Sequence, residues 1–252
     1  MFRSPVTALL CLLLALSPVW AEPAPDQTAG SVKAMIPDAS RNAKPLAVNE
    51  TLQWNDLLQT NAKGRVRAGL TDGSILSLGS NSQLRVVQHD ATAQQTTLDL
   101  DYGKLRNQVV KITQPGGKYE VRTPNAVIGV IGTYFYVGYE NGRTTIICYE
   151  GTLSVTPGAG AKVVDSNNST TGSDQAIKVS AGEIVVIGLK PVTSALQPYS
   201  TLRTASLRDT DIGETRRPHY ARTLTLVAAG VVAGLTIGLT QLNSSSKPCG
   251  CK

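Results

Sequence analysis

TPNAVIGVIGTYFYV, Thr123 to Val137, is the stretch on which the fold turns. It carries no charge, holds Gly129 and Gly132 three residues apart, and crowds aromatics at its end. It is shorter than the roughly twenty residues a helix needs to cross a bilayer. Arg122 and Glu140 flank it, so it belongs to a folded domain. Pro124 biases Thr123 towards extended backbone. Ala126, Ile128, Val130, Tyr134 and Tyr136 fall on one parity; Val127, Ile131, Phe135 and Val137 fall on the other. A run apolar on both parities is a strand buried on both faces, or two strands separated by a bulge at Gly129 to Gly132.

The surroundings read the same way. From residue 48 to 190 short apolar runs alternate with turn signals, among them Asp72-Gly73, Pro115-Gly116-Gly117 and Asn141-Gly142. Period-two alternation is clear in Ser74-Ile75-Leu76-Ser77-Leu78 and in Thr97-Leu98-Asp99-Leu100-Asp101-Tyr102. DGSILSL, YGKLRNQV, EGTLSV and AGEIVVI recur with a glycine at Gly73, Gly103, Gly151 and Gly182. Each glycine is suited to a positive-φ corner between short strands. The expectation is an all-β fold, an irregular β-solenoid or wrapped β-sandwich, with one C-terminal transmembrane helix. The polar stretch from 157 to 175 reads as a loop.

The ends suggest export. MFRSPVTALLCLLLALSPVWA has one early cation, a short apolar run and a small-residue site, the pattern of a signal peptide over residues 1–21. Residues 22–47, rich in Ala, Pro, Asp and Ser, read as a disordered leader. Residues 191–222 read as a linker that could hold a short helix between Ala195 and Thr210. Residues 223–242 are uncharged and long enough for a membrane helix. Gly230, Gly234 and Gly238 share one face of it, as in membrane helices that pack closely, and could pair two copies. Three arginines precede that segment, against the positive-inside tendency. Residues 243–252 form a short tail with Cys249 and Cys251, a poor metal site without histidine.

The formal charge of +6 does not imply nucleic acid. Residues 48–190 hold 13 Lys and Arg against 12 Asp and Glu, whereas residues 191–252 hold seven against three. The excess therefore lies outside the β-domain.

Thr123-Pro124-x-Ala126-x-Ile128-Gly129-Val130-x-Gly132-Thr133-x-Phe135-x-Val137 closely resembles the signature of the FecR domain. The similarity extends to Leu70-Thr71-Asp72-Gly73-Ser74, Leu100-x-Tyr102-Gly103-x-Leu105-Arg106, Tyr149-Glu150-Gly151-x-Leu153 and Ala181-Gly182-Glu183. It covers residues from about 60 to 188. One position departs: Ile131 stands where relatives usually carry arginine. The resemblance implies a β-rich domain outside the cytoplasmic membrane, which in the regulators passes a signal from an outer-membrane transporter to a sigma factor. Those regulators begin with a cytoplasmic domain, whereas this chain is expected to begin with a signal peptide.

Two non-enzymatic readings follow. The β-domain binds an envelope protein partner, or it binds cell-wall glycan through Tyr102, Tyr119, Tyr134, Tyr136, Tyr139 and Tyr149. A catalytic reading has little material: His89, His219, Cys148 and the same-face pair Asp99 and Asp101. Neither a phosphate loop nor a histidine–carboxylate metal cluster is visible, so no cofactor is expected.

Overall fold

The computed structural model describes residues 27–165, 170–172, 175–189 and 196–212. The expected signal peptide, the expected span at 223–242 with Gly230, Gly234 and Gly238, and the cysteine tail lie outside the described residues.

Hydrogen bonding runs through all eighteen strands as one sheet. In chain order they are β1 (Thr28–Ile36), β2 (Ala39–Arg41), β3 (Lys44–Pro45), β4 (Thr51–Gln53), β5 (Leu57–Thr60) and β6 (Arg65–Leu70). There follow β7 (Ile75–Leu78), β8 (Ser82–Asp90), β9 (Gln95–Gln108), β10 (Lys118–Thr123), β11 (Ala126–Val130) and β12 (Tyr134–Glu140). The last are β13 (Arg143–Glu150), β14 (Thr152–Pro157), β15 (Lys162–Asp165), β16 (Thr170–Gly172), β17 (Ile177–Ser180) and β18 (Ile184–Gly188). One helix, α1 (Tyr199–Asp209), completes the described residues.

The sheet has two segments. The first runs β4–β1–β6–β7–β9–β12–β13–β18–β15–β16, all antiparallel. The second runs β3–β2–β5–β8–β9–β10–β11–β14–β17, with β9–β10 its parallel pair. The fourteen-residue β9 belongs to both. Its first half pairs β8 and β10, and its second half pairs β7 and β12.

The change of segment falls at Gly103, φ +93°. A Cβ there would lie 2.2 Å from Ser82 Oγ and 2.4 Å from Ser82 Cα, so only glycine fits. The Ser82 hydroxyl fills the space, accepting from Lys104 N at 2.8 Å. Gly151 and Gly182, φ +86° and +88°, sit at two further switches, β13 to β14 and β17 to β18. Gly73, φ +89°, turns the β6–β7 hairpin instead.

The opening stretch is two strands in different segments. Ala126, Ile128 and Val130 of β11 and Phe135 and Val137 of β12 enter the same core. Between them Ile131 is 71 % exposed, and Gly132, φ +72°, lies so close to Lys111 that a Cβ would meet its Cα at 2.6 Å. The core is lined from both segments, by Leu76, Leu105 and Ile146 of the first and Leu84, Leu98 and Val121 of the second. Several polar groups inside it are paired, while Asn107 Nδ2 and Thr133 Oγ1 are buried without a hydrogen-bond partner. Tyr119 donates to Asn107 Oδ1 at 3.1 Å across the segments. His89, 2 % exposed, has Thr71 Oγ1 at 2.9 Å from Nε2 and Thr96 Oγ1 at 2.9 Å from Nδ1. Burial holds its pKa below the usual 6.5, with Asp72 and Asp90 opposing that shift.

Three expectations are corrected. Among the described residues the fold is an open sheet plus a short helix, not a solenoid or wrapped sandwich; the expected transmembrane helix falls outside them. Pairings such as β7–β9, β9–β12 and β13–β18 do not stack successive rungs. Among the described residues no helix is long and apolar enough to cross a membrane. The leader is structured from Thr28, because Ala29 and Val32 are fully buried and Gly30 abuts Gly69 and Leu70. Its small residues are what close approach between β1 and β6 requires. The loop at 157–175 contains β15 and β16, and Val163 and Val164 are buried.

Two outcomes follow. Gly182→Ala meets no atom within 4 Å and bears only left-handed strain, so it costs about 1–2 kcal/mol. Gly103→Ala adds a backbone clash and costs at least about twice that, read by urea unfolding. His89 binds a proton less readily folded than unfolded. Stability is therefore full above pH 6.5 and falls below it, by at most about 1.4 kcal/mol per pH unit. His89→Gln flattens this slope; an unchanged slope between pH 6.5 and 5 would show the folded imidazole accepting the proton freely.

Candidate partner-binding surface

The strands β12, β13 and β18 are buried on both faces. Their alternate residues Tyr134, Tyr136, Ile147, Tyr149, Ile184 and Val186 point away from the central core. They form a second apolar cluster with Leu196, Tyr199, Leu202 and Leu207. The cover is α1, which lies in the expected linker. Its Tyr199, Leu202 and Leu207 recur at helical spacing, a signal weakened by Pro198 and four Ser or Thr residues.

By itself α1 is a weak helix. It has eleven residues, Pro198 at its N-cap makes no side-chain capping bond, and its first turn holds no acid. Contacts with the sheet hold it. The Tyr149 and Ser206 hydroxyls are 2.5 Å apart, and Tyr199 donates to the Cys148 carbonyl at 3.4 Å. The Arg203 guanidinium lies 5.9 Å from the centre of the Tyr149 ring, which packs on Tyr134 at 4.7 Å. Burial pushes the Tyr136 and Tyr149 phenols well up, so both stay neutral.

The C-terminal end of α1 rests on three cations from the first segment. Arg65 Nε donates to Asp209 O at 2.9 Å, and Arg106 Nη2 donates to Thr210 O at 3.3 Å. Lys104 Nζ is 2.9 Å from the Asp209 carboxylate and 3.6 Å from that of Glu140. Burial disfavours the Lys104 charge, but the Asp209 bond and the Glu140 field outweigh it, and its pKa is raised. These cations meet the unsatisfied carbonyls and negative end of the helix. Nothing in the linear sequence places Arg65, Lys104 and Arg106 together; β6 and β9 do so through β7.

Apart from Tyr149 and Arg106, which lie beneath α1, the signature residues lie elsewhere and chiefly serve the backbone. Asp72 accepts from Ser74 N at 2.8 Å and Ser74 Oγ at 2.9 Å, and Ser74 Oγ accepts from Val110 N at 3.2 Å. Pro124 and Asn125 form the β10–β11 turn, and Thr123 Oγ1 is 2.8 Å from Thr144 Oγ1. Asn125 Nδ2 donates to Gly142 O at 3.1 Å and Ile187 O at 3.0 Å. Thr133 O accepts from Val109 N at 2.9 Å, and a Cβ at Gly151 would lie 2.6 Å from Thr133 Cγ2. Phe135 is core. Glu150 is exposed opposite Tyr134. Gly129 faces outward, where a Cβ would meet Ser154 O only at 3.6 Å. Gly182 N donates to Cys148 O at 2.9 Å.

The chemical candidates are not brought together. Both nitrogens of His89 are occupied by threonines, and Cys148 is fully buried with its thiol pushed up to about 11 by burial. Asp99 and Asp101 share the outer face of the second segment. Burial raises the Asp99 pKa against Arg122 and Arg85, and Asp101 accepts from Gln83 Nε2 at 2.5 Å. His219 lies outside the described residues. Of the six tyrosines considered for glycan, only Tyr102 is exposed.

Residues 56–154 match the family model described as FecR protein. No curated protein matches. Two crystal structures of a proposed anti-sigma factor from Parabacteroides distasonis ATCC 8503 are similar, at 16 % and 15 % identity and TM-scores of 0.42 and 0.44. The alignments cover 53 % and 59 % of this chain and only 55 % and 63 % of those chains. The matched residues hold β5 to β13 and the glycines at Gly73, Gly103 and Gly151, and this part of the chain is similar to the FecR domain.

Proposed function

We propose that this chain is an exported, non-enzymatic signalling protein of the bacterial envelope whose FecR domain acts by binding a protein partner. The observation that carries the reading is the use of the signature residues. Most of them make turns, corners and core, so the matched domain reads as a scaffold, and a scaffold acts through its surface. The family match over residues 56–154 supports a role in signalling. The nearly neutral β-domain gives nucleic acid no basic face to bind. Binding of cell-wall glycan is the weaker reading, because stacking on sugars needs several exposed rings and Tyr102 alone is available.

The full chain, immobilised and exposed to native envelope extract with cross-linking, is expected to retain a specific protein that soluble cell-wall glycan does not displace. Retention of glycan without protein would move the assignment to wall binding. Cleavage of an envelope polymer, lost in Asp99→Ala or Cys148→Ala, would make the protein an enzyme.

A further inference from the structure

We infer that the outer face of β9, β12, β13 and β18 is a helix-binding surface, which α1 occupies from within the same chain and for which a partner's helix competes. The inference rests on the protein-binding reading for the existence of a partner, but the surface and its present occupant are features of this chain.

Three observations carry it. The face is apolar where an outer sheet face would ordinarily be wet: Tyr136, Ile147, Tyr149, Ile184 and Val186 are all buried there. An apolar face rimmed by charge marks a docking site. The second observation is the weakness of α1. An uncapped helix of eleven residues, four of them Ser or Thr, is not helical in isolation. Docking therefore includes the cost of ordering it, and the net hold is smaller than its contacts suggest. The third is charge. Arg65, Lys104 and Arg106 lie at one end of the face and take the carbonyls of Asp209 and Thr210 and the Asp209 carboxylate.

These features specify the occupant. It is a short helix with apolar or aromatic side chains at positions i, i+3 and i+8, as Tyr199, Leu202 and Leu207 provide. A small hydroxyl at i+7 meets Tyr149, as Ser206 does, and an acidic residue near the C-terminal end meets the cations. Such a helix from another protein has no tether, so it must overcome the high effective concentration of α1, or arrive when α1 has opened.

The test uses the full chain and a fluorescent peptide of residues 196–212. A chain carrying Leu202→Asp and Leu207→Asp empties the face without altering it. It is expected to bind the peptide at least tenfold more tightly than wild type, by anisotropy. A peptide with the same two changes does not bind, and an Asp209→Lys peptide binds several-fold more weakly. A folded double variant that binds no better than wild type overturns the inference. Hydrogen exchange on unmodified protein gives an independent reading should the variant misfold. The amides of α1 are expected to exchange at least a hundredfold faster than those of β12 and β13, and equal protection would make α1 a fixed part of the fold and overturn the inference. Envelope capture then separates the two claims. A protein retained more by the double variant and released by the peptide supports both. A protein retained equally by both chains and unaffected by the peptide overturns competition and leaves partner binding standing. Peptide binding with no protein retained by either chain overturns the partner.

Discussion

The fold depends on the passage of one strand between two segments of sheet. At Gly103 the backbone of β9 takes a left-handed conformation directly against Ser82, with no room for a side chain. Upstream of that corner β9 anchors β8 and β10; downstream it anchors β7 and β12. The two segments therefore keep continuous hydrogen bonding while their inner faces share one core. Gly151 and Gly182 repeat the manoeuvre, so that β13, β14, β17 and β18 alternate between the same two layers. A change at one corner shifts the register on both sides of it, since every neighbour of β9 takes its alignment from that strand.

The two outer faces differ in kind. On the second segment, Gln59, Gln83 and Asp101 link across strands by amide–amide and amide–carboxylate bonds, and Arg122 approaches Glu120. This face is polar, although Glu120 and part of Asp99 are buried in it. The first segment presents tyrosines and branched aliphatics beside a group of cations, a surface that water alone would cover poorly. Docking of α1 hides the apolar part, and the helix terminus meets the charged part. The same cations satisfy the helix carbonyls, and Arg106 is almost wholly buried with the helix in place.

The residues that identify the domain and those that give it a surface overlap only in part, at Tyr149 and Arg106. Asp72, Thr123, Asn125 and Thr144 spend their polar atoms on turns. Tyr134, Tyr136, Tyr149, Lys104 and Arg106 shape the face beneath α1. Ile131, in place of the family's usual arginine, projects 71 % exposed from the β11–β12 connection and contributes to neither.

The sequence by itself determined the strand-rich class, the turns at Asp72-Gly73 and Asn141-Gly142, and the corner glycines. Each of these is a local property, written in period-two alternation or in a backbone angle that only a few residues accept. It also contained the family signature, since turn chemistry depends on neighbours in the chain. The split of Thr123–Val137 between two segments emerges only in the folded chain, because the core-facing parity changes at the connection. Ala126, Ile128 and Val130 face the core in β11, Phe135 and Val137 face it in β12, and Tyr134 and Tyr136 face α1. The strand at Thr28–Ile36 was hidden by its small residues, whose value is close approach to β6 rather than hydrophobic area. The convergence of Arg65, Lys104 and Arg106 was invisible for a simpler reason. Cross-strand neighbours are set by register, and register between β6, β7 and β9 exists only once the whole sheet has formed.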